Sequence, residues 1–302
     1  MKPDRHKKPV ISIVTVVTED RGLDSIFGLL DSFLPQEDDV DFEFIVVDED
    51  SDQRKKIFDE RFPWVELVQT SRLMPVPQMR NIALPHIRGE IIAFVEDHVL
   101  LPGGYLKCVV DLFSRGHRAV GGPVENANPQ SLASCVQHFC EYHNFLSTVT
   151  EGEVEDLPGS NFAYHEDVLE MLGSFPEGKY GVETHLHNRA KKDGTGLYFC
   201  HGLGVHHINE TSIAAVMSRR FKYGRLFAAR REFPAWKRLA YVVLSPLIVP
   251  LEYMRILKHV RQDRACVKRF VRCTPLLLPT LFVWMAGECV GYLAGVRSGK
   301  DG

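Results

Sequence analysis

The sequence predicts an α/β protein in which a mostly parallel sheet is flanked by helices and followed by apolar C-terminal helices. Three observations predict this fold class. Apolar, β-branched runs alternate with helix-like stretches through residues 10–95, which is typical of a parallel sheet buried on both faces. Acidic residues follow two of these runs directly. From residue 239 onward, apolar stretches are separated by basic residues.

Four strands and three connecting helices are predicted in the N-terminal part. Their regular alternation favours parallel pairing of the strands. The predicted strands are residues 10–17, 42–47, 64–69 and 91–95, and the predicted helices are residues 23–33, 51–62 and 78–86.

The following part of the chain is less regular, with shorter strands between helices. The predicted helices are residues 106–115, 131–148, 166–172 and 183–192, and the predicted strands or turns are residues 119–121, 159–163, 197–200 and 203–206.

The charge and the cysteine content restrict the binding partners and the cellular compartment that we expect for this protein. The net charge of −3 gives no overall basic field, and no nucleic-acid partner is predicted. The 7 cysteines show no CxxC spacing, which favours reduced thiols in the cytosol. The N-terminal charges are not followed by an apolar run of the signal-peptide type.

Two acidic clusters, residues 48–52 and 96–98, directly follow predicted strands. In open parallel sheets, ligands bind at the edge where the carboxyl ends of the strands meet. Carboxylates there can hold a divalent cation that neutralises an anionic leaving group such as a nucleoside diphosphate. Solvated acids at strand ends are the alternative interpretation of the same clusters.

The run MRNIALPHIRGEIIAFVEDHVLLPGGYL resembles the inverting family 2 glycosyltransferases of GT-A fold. The pattern of that family is Arg-Asn on a helix, Gly-Glu, a strand, an Asp-x-Asp motif and a nearby proline. The residues that fall on it are Arg80, Asn81, Gly89, Glu90, Phe94, Glu96, Asp97, His98 and Pro102. The resemblance extends over residues 10–231 and includes the glycine-rich apolar tail. It implies that the enzyme moves a sugar from a nucleotide-diphosphate donor to an acceptor hydroxyl with inversion.

The resemblance also implies which residues contact the substrates. The segment Gly159, Ser160 and Asn161 resembles the Gly-x-Asn segment on the acceptor side, and Asp48 is expected to contact the base or the ribose. The expected donor-binding residues are Thr18, Glu19, Asp48, Asp50, Arg80, Asn81, Glu96, Asp97 and Arg225. For the basic segment around Arg225, an interfacial helix is the alternative.

A divalent cation is expected at Asp97, His98 and His206. The family motif is Asp-x-Asp, whereas its ends are Glu96 and His98 here. Histidine replaces an oxygen ligand with a nitrogen ligand, which suits Mn²⁺ better than Mg²⁺. For His206, a satisfied structural histidine is the alternative.

Inversion by single displacement requires a general base for the acceptor hydroxyl. The family supplies it from a Glu-Asp pair that opens a helix and is followed by Leu and Arg. Alignment on Leu186 and Arg189 assigns this role to Glu183 and leaves Val182 in place of the preceding acid. A carboxylate in the first helical turn also interacts favourably with the helix dipole, so a purely structural acid is the alternative.

These assignments predict a GT-A catalytic domain over residues 1–215, with a nucleotide-binding half at 10–105 and an acceptor-side half at 106–215. A basic and hydrophobic helical tail would follow at 216–302. Two rival functions remain, a nucleotidyltransferase and a non-catalytic sugar-nucleotide-binding protein of related fold. The sequence contains no GxGxxG or P-loop motif of the kind a nucleotidyltransferase would use near its first strand.

The tail predicts membrane association. Residues 275–296 are long enough to span a bilayer, for which about 20 residues are needed, and are expected to form either a single span or a second re-entrant segment. Basic residues between 255 and 272 disfavour an external loop, so residues 239–254 are expected to be interfacial or re-entrant, with the catalytic domain on the cytosolic face. The acceptor is expected to be lipid-linked or a saccharide. Gly287, Gly291 and Gly295 share one helix face, which is compatible with a homo-oligomer.

Overall fold

The computed structural model describes residues 8–18, 22–34, 40–49, 51–72, 74–176 and 181–294. The predicted donor-binding residues Glu19 and Asp50 and the last glycine of the tail, Gly295, lie outside the described residues. The chain divides into two compact units. The first comprises residues 1–125, 150–177 and 181–207, and the second comprises residues 126–149, 178–180 and 208–302.

The first unit is built on an eight-stranded sheet with the order β3-β2-β1-β4-β9-β6-β10-β8. The four N-terminal strands β1 to β4 pair in parallel and β6 pairs in parallel with β10, whereas β9 and β8 are antiparallel to their neighbours. These strands are β1 (Ile11–Val16), β2 (Phe42–Glu49), β3 (Val65–Thr70), β4 (Ile91–Val95), β6 (Ala119–Gly121), β8 (Gly152–Glu153), β9 (Asn161–His165) and β10 (Leu197–Phe199).

A second, three-stranded sheet has the order β5-β11-β7. Its strands are β5 (Val99–Leu100), β7 (Val124–Asn126) and β11 (Val205–His207). The helices of the first unit are α1 (Gly22–Phe33), α2 (Asp52–Arg61), α3 (Val76–Ala83), α4 (Tyr105–Ser114), α6 (Glu166–Leu172) and α7 (Val182–Lys192).

The central strands are buried along their whole length, as predicted for a parallel sheet. Every residue of β1 and β4 is buried. The apolar core packs side chains such as Val14, Ile45 and Phe94 against residues of the flanking helices. The predicted mostly parallel α/β architecture is therefore confirmed.

Local chemistry explains where several elements begin and end. The hydroxyl of Ser51 accepts a hydrogen bond from the amide of Arg54 and caps α2, which begins one residue later. The helix predicted over residues 131–148 is too long, because α5 (Leu132–Tyr142) ends earlier and continues only as a short 3-10 turn. A ring nitrogen of His143 lies 3.0 Å from the carbonyl oxygen of Phe139 in the last turn of α5, where helix carbonyls take side-chain partners.

The second unit is helical and centres on one long helix. Its helices are α5 and then α8 (Ile213–Ala229), α9 (Ala235–Leu244), α10 (Ile248–Val260) and α11 (Arg264–Ala294). Helix α11 packs against each of the other four. The apolar core of this unit includes Val136, Ile256, Phe270 and Leu277.

The glycines of the tail pack α11 against α8 within the chain. A Cβ atom on Gly287 or Gly291 would collide with backbone atoms of α8. Conversely, a Cβ atom on Gly224 of α8 would lie 2.6 Å from the carbonyl oxygen of Trp284. The close helix packing predicted from these small residues is therefore intramolecular in this structure.

Within the described residues, two stretches of the second unit are long and apolar enough to cross a membrane, judged by length and composition. They are residues Ala235–Val260, which include α9 and α10, and Arg264–Ala294, which form α11. The basic residues from Arg264 to Arg272 therefore belong to the first turns of a helix.

Candidate active site

The turn after β4 is anchored to the end of β1. The carboxylate of Asp97 is fully buried. Its Oδ2 atom accepts hydrogen bonds from the backbone N–H of Thr18, at 2.8 Å, and from the Thr18 hydroxyl, at 3.0 Å. The carboxyl ends of two adjacent parallel strands are thereby tied together at the edge where open α/β sheets bind ligands.

Beside this contact, Glu96, His98 and His207 form a group that could hold a metal ion. One ligand atom from each lies within 4.8 Å of the others. The Nε2 atom of His207 lies 3.3 Å from Oε2 of Glu96, and that of His98 lies 3.5 Å from the same oxygen. The register of β5 and β11 explains the arrangement, since His207 pairs with Val99, the residue after His98.

Asp97 orients one of these histidines. Its Oδ1 atom lies 2.6 Å from Nδ1 of His98. Because a carboxylate accepts hydrogen bonds, Nδ1 is the donor in this contact and Nε2 is directed toward Glu96. Carboxylate–histidine pairs of this kind fix the orientation of histidines that bind metals.

The histidines also favour the ionised form of Glu96. Burial opposes ionisation of this carboxyl, but the hydrogen bond with His207 and the positive field of His98, His207 and Arg80 outweigh it and lower its pKa to about 2. An ionised carboxylate beside two imidazoles is a suitable donor set for a divalent first-row metal.

The histidine that β11 contributes to this group is His207, whereas the predicted ligand His206 is exposed to solvent. Side chains alternate along a strand, so the two adjacent histidines of β11 point to opposite faces. The signal in the sequence was the apolar residue Val205, which is buried and shares its face with His207.

Glu183 lies in the first turn of α7, as the sequence predicts for an acid at a helix start. Its Oε1 atom lies 2.5 Å from a terminal nitrogen of Arg80. The other terminal nitrogen of Arg80 donates to the carbonyl oxygen of Gly159 at 3.0 Å. Arg80 is only 2% exposed, so this guanidinium is held inside the protein.

The segment Gly159–Ser160 connects Glu183 with the metal-binding candidates. A Cβ atom on Gly159 would lie 3.1 Å from Cγ of Glu183, which shows how closely the two residues approach. The carbonyl oxygen of Ser160 accepts a hydrogen bond of 3.2 Å from the amide of Glu96. The Glu183 carboxylate and the Glu96–His98 turn therefore border the same short segment.

Asp48 lies one residue before the end of β2 and forms an ion pair with an arginine. Arg54 donates to both of its carboxylate oxygens, at 2.8 Å and 2.7 Å. Burial raises the pKa of Asp48, and the contact with Arg54 opposes that rise. Arg54 was not singled out from the sequence, although its position in the first turn after the acidic cluster places it within reach of that strand end.

The side-chain amides of Asn81 and Asn161, both predicted to bind substrates, form hydrogen bonds within the protein. The side chain of Asn81 exchanges two hydrogen bonds with the backbone of Phe175, at 2.9 Å and 2.7 Å. Asn161 accepts from the Tyr105 hydroxyl at 2.7 Å and donates to the carbonyl oxygen of Leu203. These residues hold segments beside the site in position. Arg225, also predicted to bind the donor, lies on α8 of the second unit.

This fold, with carboxylates and histidines gathered at the carboxyl edge of a mostly parallel sheet, is that of a glycosyltransferase. Residues 10–224, more than half of the chain, match the family model described as glycosyltransferase like family 2, and the chain belongs to that family. No curated protein matches the chain. The predicted family and the predicted enzyme class are thus confirmed.

Solved structures show the same fold at low sequence identity. The mannosyltransferase PcManGT from Pyrobaculum calidifontis, in complex with GDP-Man and Mn²⁺, is 18% identical over 97% of this chain and 88% of that chain, with a TM-score of 0.57. TarS 1–349 from S. aureus is 15% identical over 95% of this chain and 92% of that chain, with a TM-score of 0.50. A mycobacterial protein is 18% identical over 75% and 76%, respectively, with a TM-score of 0.50. At these identities the likeness extends to the fold alone.

Proposed function

We propose that this glycosyltransferase uses a nucleotide-diphosphate sugar, a divalent metal and a single inverting displacement. The proposal rests on the observation that the candidate base and the candidate metal ligands lie against the same short segment of the chain. Glu183 and the turn with Glu96 and His98 both contact the Gly159–Ser160 segment. A general base and a site for an anionic leaving group must flank one sugar, and this arrangement meets that requirement.

In the proposed step, Glu183 is the general base. Its carboxylate takes the proton of the acceptor hydroxyl while the hydroxyl oxygen forms a bond to the anomeric carbon. The bond from that carbon to the diphosphate oxygen breaks on the opposite face, and the nucleoside diphosphate leaves with the electron pair. One displacement inverts the configuration at the anomeric carbon.

Glu96, His98 and His207 would hold the metal, with His207 in place of the predicted His206. The residues fit such a group, since they offer two imidazole nitrogens and one ionised oxygen within 4.8 Å of one another. When bound, a divalent cation neutralises the charge that develops on the leaving diphosphate. In this proposal Asp97 orients His98, and Thr18 holds Asp97.

The donor set also supports the expected preference for Mn²⁺ over Mg²⁺. Mg²⁺ takes oxygen ligands almost exclusively, whereas Mn²⁺ accepts a mixture of imidazole and carboxylate. Activity that is several-fold higher with Mg²⁺ than with Mn²⁺ would contradict this preference.

On the donor side, we propose that the Asp48–Arg54 pair contacts the base or the ribose. The pair lies near the carboxyl end of β2, which pairs with β1. Thr18, two residues after the end of β1, contacts Asp97. We also propose that the acceptor is a hydroxyl group of a lipid-linked carrier or of a saccharide.

A donor screen tests the proposed reaction. Purified protein with Mn²⁺ is incubated with a panel of nucleoside-diphosphate sugars and lipid or saccharide acceptors, and released nucleoside diphosphate is measured. We expect release with at least one sugar, loss of release after chelation, and an anomeric configuration in the product opposite to that of the donor by NMR. A retained configuration, or turnover that survives metal removal, would refute the mechanism.

We further propose that the second unit associates with a membrane through one face of α9 and α10. The face is apolar and exposed and follows helical spacing, and its residues are Trp236, Leu239, Val243, Leu247, Leu251 and Met254. Beyond it lie basic residues that suit an anionic lipid surface, namely Arg255, Lys258, Arg261, Arg264, Lys268, Arg269 and Arg272. The opposite face packs within the unit through Val249, Ile256 and Val260, which favours an interfacial helix, and positive-inside bias favours the cytosolic face.

Flotation with lipid vesicles tests the membrane surface. The double variant Val243→Asp, Leu247→Asp should lose binding to vesicles that contain phosphatidylserine. The matched control is Met171→Asp, which changes an exposed apolar side chain of the first unit. Unchanged flotation of the double variant would exclude this face as the membrane contact.

A further inference from the structure

We infer that Arg80 is a positioning residue that holds the base Glu183, and that it does not bind the donor as the sequence predicts. The inference rests on the proposed function, in which Glu183 removes the acceptor proton. Arg80 is the residue through which α3 reaches Glu183 on α7.

The burial of Arg80 supports this role. The residue is 2% exposed, and both of its terminal nitrogens are occupied by groups of the base region. One contacts Oε1 of Glu183 and the other donates to the carbonyl oxygen of Gly159, whose Cα approaches the Glu183 side chain. The guanidinium therefore fixes the carboxylate relative to the segment beneath it.

Three aromatic rings enclose the guanidinium and prevent it from turning elsewhere. The Cζ atom of Arg80 lies 5.6 Å from the ring centroid of Phe94, 5.3 Å from that of Phe162 and 5.5 Å from that of Phe175. Cation–π attraction is effective at such distances, particularly away from water. The planar arginine head fits this enclosure in a way that the compact head of lysine does not.

Asn81 completes the support. Its side chain exchanges two hydrogen bonds with the backbone of Phe175, one of the three enclosing rings. The Arg-Asn pair on α3 thus acts as a unit, in which Asn81 holds Phe175, Phe175 encloses Arg80, and Arg80 holds Glu183.

The contact leaves one oxygen of the base available. Arg80 occupies Oε1 of Glu183, and within the described part of the chain no hydrogen-bond donor contacts Oε2. The Glu183 side chain is 23% exposed to solvent. Oε2 can therefore receive the acceptor proton while Oε1 stays fixed.

The test compares Arg80→Met and Arg80→Lys with a matched control, Arg61→Met. Arg61 also pairs with a carboxylate and lies over two aromatic rings, but its partners are Asp31, Phe27 and Phe62. With the donor sugar found by screening, we expect kcat to fall about 100-fold in Arg80→Met, as misplacement of a catalytic group by about 1 Å does. The KM for the donor and the affinity for its nucleoside diphosphate with Mn²⁺ should stay at the wild-type value. Arg80→Lys should recover part of kcat, and Arg61→Met should change neither parameter.

The decisive comparison places Arg80→Lys in a Glu183→Gln background. If Arg80 acts through Glu183, the lysine substitution should lower kcat in the wild-type chain and have almost no further effect in the double variant. Additive losses, or weakened nucleotide affinity with unchanged kcat, would overturn the inference and restore Arg80 as a donor-binding residue. Should Arg80→Met fail to fold, the Arg80→Lys pair gives the same decision. Full turnover of Glu183→Gln alone would instead refute the proposed function.

Discussion

Two carboxylates of the site, Glu96 and Glu183, differ in the cations that surround them. Glu96 faces the imidazoles of His98 and His207. Glu183 faces the guanidinium of Arg80, which is buried. An imidazole can give up its proton and offer its lone pair to a metal, whereas a guanidinium keeps its proton and has no lone pair to offer.

This difference assigns different chemistry to the two groups. A carboxylate among imidazoles can exchange protons for a metal ion, so the region of Glu96 suits a leaving-group site. A carboxylate held by a buried guanidinium stays in place, and that partner offers no metal ligand, so the region of Glu183 suits a base. Substitutions that affect one region and spare the other test this division.

The largest effect is expected for Glu183→Gln. The amide can still accept from Arg80 but cannot take a proton, so kcat should fall by about 10²–10⁴-fold, the range that general-base catalysis contributes. Binding of Mn²⁺ and of the nucleoside diphosphate should be unchanged by calorimetry. Glu166→Gln, at a half-buried acid at the start of α6 that pairs with Lys8, is the control and should keep full activity. Turnover of Glu183→Gln close to that of wild type would remove Glu183 from its role.

The next largest effect is expected for substitution of one of the two adjacent histidines of β11. His207→Ala removes a candidate ligand and should weaken Mn²⁺ binding by more than about 100-fold, because loss of an outer-shell partner alone costs about 10–100-fold. His206→Ala should leave the affinity unchanged, since that side chain faces solvent. Titration with Mn²⁺ followed by electron paramagnetic resonance measures both variants. The reverse ranking would return the metal to the histidine that the sequence predicts.

A smaller loss of metal affinity is expected for Asp97→Asn. The amide retains an acceptor for Thr18 but lacks the negative charge beside Nδ1 of His98, so Mn²⁺ affinity should fall about 10–100-fold. Asp156→Asn is the matched control, because Asp156 forms the same kind of pair with His187, at 2.5 Å. Equal losses in the two variants would show that the effect is not specific to the metal region.

The smallest effect is expected for Gly159→Ala. The added methyl group would lie 3.1 Å from Cγ of Glu183 and should displace the base by a few tenths of an ångström, lowering kcat about 10-fold. Mn²⁺ affinity should not change. Gly103→Ala, at a glycine with open space around its Cα, is the control. A change in metal affinity with unchanged kcat would contradict the division between the two regions.

Much of the first unit could be predicted from the sequence because its strands are buried on both faces. The runs at 10–17 and 91–95 contain only apolar and small residues, and this composition specifies a central parallel strand. The end of α5 was harder to predict. Apolar residues continue past Tyr142, and the side-chain contact of His143 that accompanies the helix end has no local signal.

Within the site, residue types were easier to predict than partners. The sequence identifies the acidic turn at 96–98 and the acid at the start of α7, because both follow from a motif and its position. The contact of Arg80 with Glu183 joins residues 103 positions apart, and the pairing of β5 with β11 decides which histidine faces Glu96. Such choices depend on tertiary register, which a strand of three residues does not encode.

The division between the two carboxylates can be tested most directly by anomalous scattering from crystals soaked in Mn²⁺ and a nucleoside diphosphate. We expect a manganese peak bound by Glu96, His98 and His207, with Glu183 still paired to Arg80 and free of metal. A peak on the carboxylate of Glu183, or a metal bound without either histidine, would contradict it.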